Sequence, residues 1–342
     1  MDKLEKVIGL AVSILLITTL FSGCIDSGDD EILNIYHAGS LSVPFEELEK
    51  KFEEEYDGID VRREPDGSVA TVRKVTDQDR KPDVVGVADH SLIPDMMYEK
   101  DKANWTVRFA RNRMVLAYTD FSSHKNEIGK ENWYTVLDGE DVTYGFSDPN
   151  EDPCGYRSQM VILLAEDHHD EHIYDDLIGD HTDIKKEGYN ITVPEDLGVR
   201  SNEITVRSKE TDLLGILESG NIDYLFIYQS VAEQHDLDFV KLPEQIDLSS
   251  VEYADTYGKV TLTRHTGERS VGKPIVYGIT ISKTVQNKDA AVKFIRFLLD
   301  ETGQEVMSRN GQPPIDPPKA DNRQKMPNDL KDMVEEDQGG GK

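Results

Sequence analysis

The sequence predicts an α/β protein of two lobes joined by two crossing strands. Three observations carry this reading. From Ile32 onward short apolar runs alternate with helix-period stretches, which is the rhythm of strand and helix units around a largely parallel sheet. The run "TVRFARNRMVLAYTD" at 106–120 is too long for one average strand, so it is expected to pass from one lobe to the other. A second crossing candidate, "KPIVYGITISK" at 273–283, follows an intervening set of strands and helices. With 342 residues, 37% of them hydrophobic, the chain is long enough to bury a core in each lobe.

Taken in order, "ILNIY" reads as the first strand. "VPFEELEKKFEEEY" follows as a helix, with Phe45, Leu48 and Phe52 at helical spacing behind Ser42 as a start signal. "GIDVRR", a helix near Val69 to Val75 and the strand in "DVVGVAD" continue the first lobe. The second set runs through "VTYGFSDP", a buried helix at Cys154, "TDLLGILESG", "IDYLFIY" and "KVTLTR". After the second crossing, "AAVKFIRFLLDETGQEVMSRNGQ" is expected as one amphipathic helix with Val292, Ile295, Phe297, Leu298 and Leu299 on or near one side. This places lobe 1 at 32–118 and 273–317 and lobe 2 at 119–272, with 318–342 a polar tail.

The formal net charge of -29 argues against a nucleic-acid partner, because phosphate binding needs an excess of Lys and Arg. At the N-terminus the apolar run Val7–Phe21 leads into "SGC" and is short for a spanning helix, which needs about 20 apolar residues. It resembles a lipoprotein signal (residues 1–23), with Cys24 lipid-modified and 24–31 a tether. Phe21 stands where Leu is usual, and Asp2 and Glu5 cancel Lys3 and Lys6, so an uncleaved anchor is the alternative. Either way the body is tethered at the outer face of a cytoplasmic membrane. Cys154 is then left without a disulfide partner.

Several turns combine helix starts with groups suited to an anion. "YHAGSL" lies between the first strand and helix, so Ser40 and the Leu41 amide sit at a carboxyl edge where α/β folds bind ligands, unless Ser40 is only a local cap. Ser68 in "PDGSVATVRKV" repeats the arrangement. His37 nearby reads as a packing residue. In the other lobe "NEDPCGYRSQMVILLAE" opens a helix with Asp152 at the cap, Pro153 in the first turn and Cys154 as an amide donor or packed thiol. Glu210 stands at the opening turn of another helix, where its plain explanation is the helix dipole. Tyr228 ends an apolar run, its hydroxyl a donor at a strand end.

Two lobes joined by two crossing strands describe a hinged binding protein. "HAGSL", "GSVATVRKV", "DPCGYRS" and "DYLFIYQSVAEQH", in this order, resemble the archaeal tungstate/molybdate-binding proteins, the extracellular receptors of ABC-type oxyanion importers. The resemblance covers nearly all of residues 32–318 and implies the periplasmic-binding-protein type II fold. It implies that carboxylates at Asp152 and Glu210 coordinate the Mo or W of the oxyanion, taking it from tetrahedral to distorted octahedral. Ser40, Leu41, Ser68, Pro153, Cys154 and Tyr228 then line the same pocket. It further implies a monomeric receptor with no cofactor and no catalysis, working with a permease and a separate ATPase subunit.

Two alternatives stay open at this point. One is a receptor of the same fold for sulfate or phosphate, although a carboxylate facing those anions is costly. The other is a metal-dependent hydrolase built on "EDHHDEH", with His168 and His172 one helical turn apart but without the "HExxH" order. Sequons at Asn104 and Asn190 permit glycosylation.

Overall fold

The computed structural model describes residues 31–337. The expected signal segment, Cys24 and the tether as far as residue 30 lie outside the described residues, as do residues 338–342.

A seven-stranded sheet runs in the order Ile59–Asp66, Glu31–Ala38, Val84–Val87, Val276–Ile281, Thr106–Arg111, Pro314–Asp321 and Glu335–Glu336. Its first three strands are parallel, and Val276–Ile281 runs against them. A five-stranded sheet runs in the order Asp238–Lys241, Met114–Tyr118, Tyr224–Tyr228, Tyr144–Ser147 and Ile204–Arg207. Here too the last three strands are parallel. Parallel neighbours end at one edge, so the turns that follow them gather there. In the first lobe these turns are Gly39–Leu41, Gly67–Ser68 and Ala88–Asp89; in the second they carry Asp152, Glu210 and the end of the strand at Tyr228. A third, four-stranded sheet, which the alternation of elements does not separate from the second lobe, joins Arg269–Val271, Thr261–Thr263, Asn190–Thr192 and Lys185–Glu187.

The helix Ser42–Glu55 buries Phe45, Leu48 and Phe52, the positions its period assigns to the core. Phe52 packs edge-on against Phe294 and Phe297 of the helix Lys288–Leu299, at centroid distances of 5.4 and 5.6 Å. Each fully buried aromatic ring contributes on the order of 2–3 kcal/mol to the core.

Four expectations are corrected. Ser42 makes no side-chain cap; the chain already turns at Gly39–Leu41, and the helix continues from there. The first crossing falls at Asn112–Arg113 rather than after residue 118, because Thr106–Arg111 pairs in the seven-stranded sheet and Met114–Tyr118 in the other. The expected long C-terminal helix is two, Lys288–Leu299 and Glu301–Arg309. Asp300 breaks it by accepting the Gly303 amide at 3.0 Å, and Gly303 sits directly against the Phe297 and Leu298 carbonyls. The expected tail is folded as far as residue 337: Pro314–Asp321 pairs with Thr106–Arg111, and Met326, Leu330 and Val334 are buried in the core. A few scattered apolar side chains among many charges leave too weak a period to reveal that segment.

Candidate functional site

Where the two carboxyl edges meet, Asp152 and Glu210 lie buried side by side, 2% and 1% exposed. Asp152 caps the helix Pro153–His169, with Pro153 at its first position, where the missing N–H is no loss. Its Oδ1 accepts the Cys154 amide at 3.3 Å and its Oδ2 the Glu210 amide at 3.0 Å. Asp152 is therefore satisfied by two amides. Glu210 is not, for its Oε2 is buried without a hydrogen-bond partner among the described residues. Burial first, and the Asp152 charge second, push the Glu210 carboxyl well above its ordinary value of 4.5. Burial thus disfavours the charged form of Glu210, and the buried pair becomes destabilising as pH rises above 4.5.

Three hydroxyls of the site share one arrangement. Ser68 Oγ accepts the Ala88 amide at 3.0 Å, Ser40 Oγ accepts from the Tyr277 hydroxyl at 3.0 Å, and the Tyr228 hydroxyl accepts from Arg157 Nη1 at 2.7 Å. A hydroxyl has one proton to donate and two lone pairs. Each of the three is held through a lone pair by a buried donor, which leaves its own proton free to meet an anion. Asn112 extends the chain behind Ser40, donating to the Tyr277 hydroxyl at 2.8 Å and to Ser230 Oγ at 2.7 Å.

The lobes touch through backbone as well. The Val69 and Ala70 amides of the helix Ser68–Thr76 donate across the junction to the Glu151 carbonyl at 3.1 and 3.2 Å, so part of that helix start serves lobe contact rather than a ligand. Gly67 makes the approach possible: a Cβ there would lie 2.6 Å from the same oxygen. Gly39 lies opposite Thr211 and Glu210, where a Cβ would be 3.2 Å from Thr211 Oγ1 and 3.4 Å from Glu210 Oε1. At the rim Arg73 Nη1 reaches Glu151 at 2.9 Å.

The structure thus brings Ser40, Ser68, Asp152, Cys154, Glu210 and Tyr228 to one buried junction, all within 2% of full burial. The Leu41 side chain lies against Gly86 in the core, which leaves only its backbone to face the junction. Cys154 donates its thiol to the Phe226 carbonyl at 3.6 Å, and burial pushes the thiol well up, which removes it as a nucleophile. His37 packs on Phe45 at 5.2 Å, and burial lowers it to about 4. Two surface hollows lie away from the pair, one beside Leu197 and Arg207, the other beside Tyr134 and Asp138.

Sequence reasoning missed Arg157. This guanidinium, 1% exposed, donates from Nη1 to the Ala88 carbonyl of the first lobe at 2.8 Å as well as to Tyr228 of the second. Its Nη2 lies 3.5 Å from Asp89, which also takes the Tyr156 hydroxyl at 2.7 Å and Lys273 at 3.0 Å. Against desolvation, which alone would raise it, Lys273 and Arg157 hold the buried Asp89 carboxyl well below the usual range. The signal was present in "CGYRSQMVILL": a helix buried on every side leaves a charged residue no exposed face, so it must have buried partners.

The pairing of His168 with His172 does not form. Asp170 ends the helix in the left-handed conformation, φ 58° and ψ 43°, so His172 leaves the one-turn register that the spacing assumed.

Residues 33–312 match the family described as bacterial extracellular solute-binding protein. A molybdate/tungstate-binding protein WtpA of Pyrococcus abyssi is 44% identical, covering 96% of this chain and 98% of that one. Its counterpart from Thermococcus kodakarensis is 42% identical over 97% and 98%. Among solved structures, the periplasmic molybdate-binding protein of Azotobacter vinelandii aligns with a TM-score of 0.57 at 15% identity, covering 82% of this chain and 98% of that one. The sulfate-binding protein SubI of Mycobacterium tuberculosis aligns at 0.58 and 14% identity, covering 84% and 88%. The fold is therefore shared by binders of both kinds of anion, and the site residues must decide between them.

Proposed function

The chain belongs to the family of bacterial extracellular solute-binding proteins, and from that premise we propose that it captures tungstate or molybdate between its lobes and delivers the ion to a membrane permease. The observation that carries this reading is the buried Asp152–Glu210 pair facing three hydroxyls with protons to donate. Hexavalent tungsten and molybdenum are large, hard centres that take additional oxygen ligands. Sulfur in sulfate is too small to do so. The same two carboxylates that bond a tungstate therefore repel a sulfate, which is how the site selects. The names of the Pyrococcus and Thermococcus relatives support the reading.

The protein is a receptor and not an enzyme; its relatives are solute-binding proteins. Ligands come from both lobes, so a bound ion favours the closed population. The permease belongs to an ABC importer whose ATPase is a separate subunit. The receptor works as a monomer at the outer face of the cytoplasmic membrane, held there by its N-terminal segment through Cys24 or as an uncleaved anchor.

Calorimetric titration with tungstate in excess sulfate, at two pH values, tests the proposal. Coordination needs the ionised Glu210 carboxylate, which burial disfavours, so tungstate affinity rises with pH above 4.5. Sulfate barely competes. A receptor that only hydrogen-bonds its anion shows the reverse: equal competition by sulfate and an affinity that falls as pH rises.

A further inference from the structure

The helix Pro153–His169 carries the proposed anion site at its first turn and a second group of polar side chains at its last. Seventeen residues at 1.5 Å each separate the two by about 25 Å, so the second group takes no part in oxyanion binding. There His168, His169 and Glu131 each offer one ligand atom, and the three atoms all lie within 4.8 Å of one another. We propose that Glu131, His168 and His169 form a surface site for a divalent transition metal of the zinc class.

Four features support it. The His169 ring is fixed in place, lying on Tyr134 at 4.6 Å and edge-on to His168 at 4.7 Å. Its Nε2 is buried and has no hydrogen-bond partner among the described residues, so a polar atom stands ready with nothing to bond. Among the described residues neither imidazole forms an ion pair with the Glu131 carboxylate, whose salt-bridge contact is Lys130 at 3.4 Å. The group also sits at the C-terminal end of a long helix, where the backbone dipole favours a cation, just as the opposite end favours an anion.

The donor set decides the class of metal. Two imidazole nitrogens and one carboxylate oxygen are the ligands of a three-coordinated zinc centre, with water completing the shell. Calcium and magnesium demand oxygen ligands and are poorly served here. His168 and Glu131 are exposed, which leaves the site open to solution, and Glu171 and Asp176 of the adjoining hollow attract cations toward it.

Untagged full-length protein titrated with zinc ions alone, and with cupric ions for electron paramagnetic resonance, tests the site. The expected result is one tightly bound equivalent that excess magnesium does not displace, with hyperfine splitting from two nitrogens in the copper spectrum. His168→Ala and His169→Ala each weaken binding at least tenfold, and His172→Ala leaves it unchanged. Tungstate titration and far-ultraviolet circular dichroism on the same variants confirm that the fold is intact. Zinc binding that survives the double His168→Ala/His169→Ala variant, that depends equally on His172, or that magnesium displaces would overturn the proposal.

Discussion

Glu210→Gln lowers tungstate affinity by at least about 100-fold, and adding Asp152→Asn lowers it further, while sulfate binding is no weaker than in the parent protein. The expected loss follows from removing a charged oxygen ligand, roughly 3 kcal/mol, which is about 100-fold in a dissociation constant. The single variant is the cleaner one. Glu210 Oε2 has no hydrogen-bond partner among the described residues, so a neutral amide of the same shape disturbs little, and the melting temperature stays level or rises. Asp152 differs, because it accepts from both the Cys154 and Glu210 amides, and a carboxamide in its place can accept only one of them with its single carbonyl. Part of the loss in the double variant is therefore structural. Equal losses for tungstate and sulfate in Glu210→Gln would reduce the pair to helix caps.

Arg157→Met speeds tungstate release by about 100- to 5,000-fold, the equivalent of about 3–5 kcal/mol for a buried ion pair broken on one side. Association changes little. The asymmetry arises because Arg157 reaches Ala88 and Asp89 of the first lobe only when the lobes are in contact, so its loss acts on the closed form. Arg157→Lys restores part of the residence time, since it keeps a charge near Asp89 but cannot serve both the Ala88 carbonyl and the Tyr228 hydroxyl. Stopped-flow measurement of both rates, with a thermal melt as control, checks this. A variant with the parental release rate and only a lowered melting temperature would make Arg157 a purely structural residue.

The regular elements were legible because their periods are strong. Phe45, Leu48 and Phe52 mark one face of a helix, and "IDYLFIY" marks a buried strand. The break at Asp300 was hidden because the apolar period runs through it; the cap becomes visible only in the bond to Gly303. Asp152 and Glu210 could be picked out as acids at helix starts, but their adjacency depends on two parallel strands whose following turns, 58 residues apart in the chain, end at one edge. Arg157, Tyr277 and Asn112 were out of reach for a related reason. Each acts on partners distant in the chain, Arg157 and Asn112 between the lobes and Tyr277 within the first, and a residue type alone does not name its partner.

The central claim is that two protein carboxylates bond the metal of the oxyanion. X-ray absorption at the tungsten edge of the purified complex reads this directly. The account predicts a six-coordinate tungsten, with four oxygens at tungstate distances and two longer ones that vanish in the Glu210→Gln/Asp152→Asn variant. A four-coordinate, tetrahedral tungsten identical to free tungstate would contradict it.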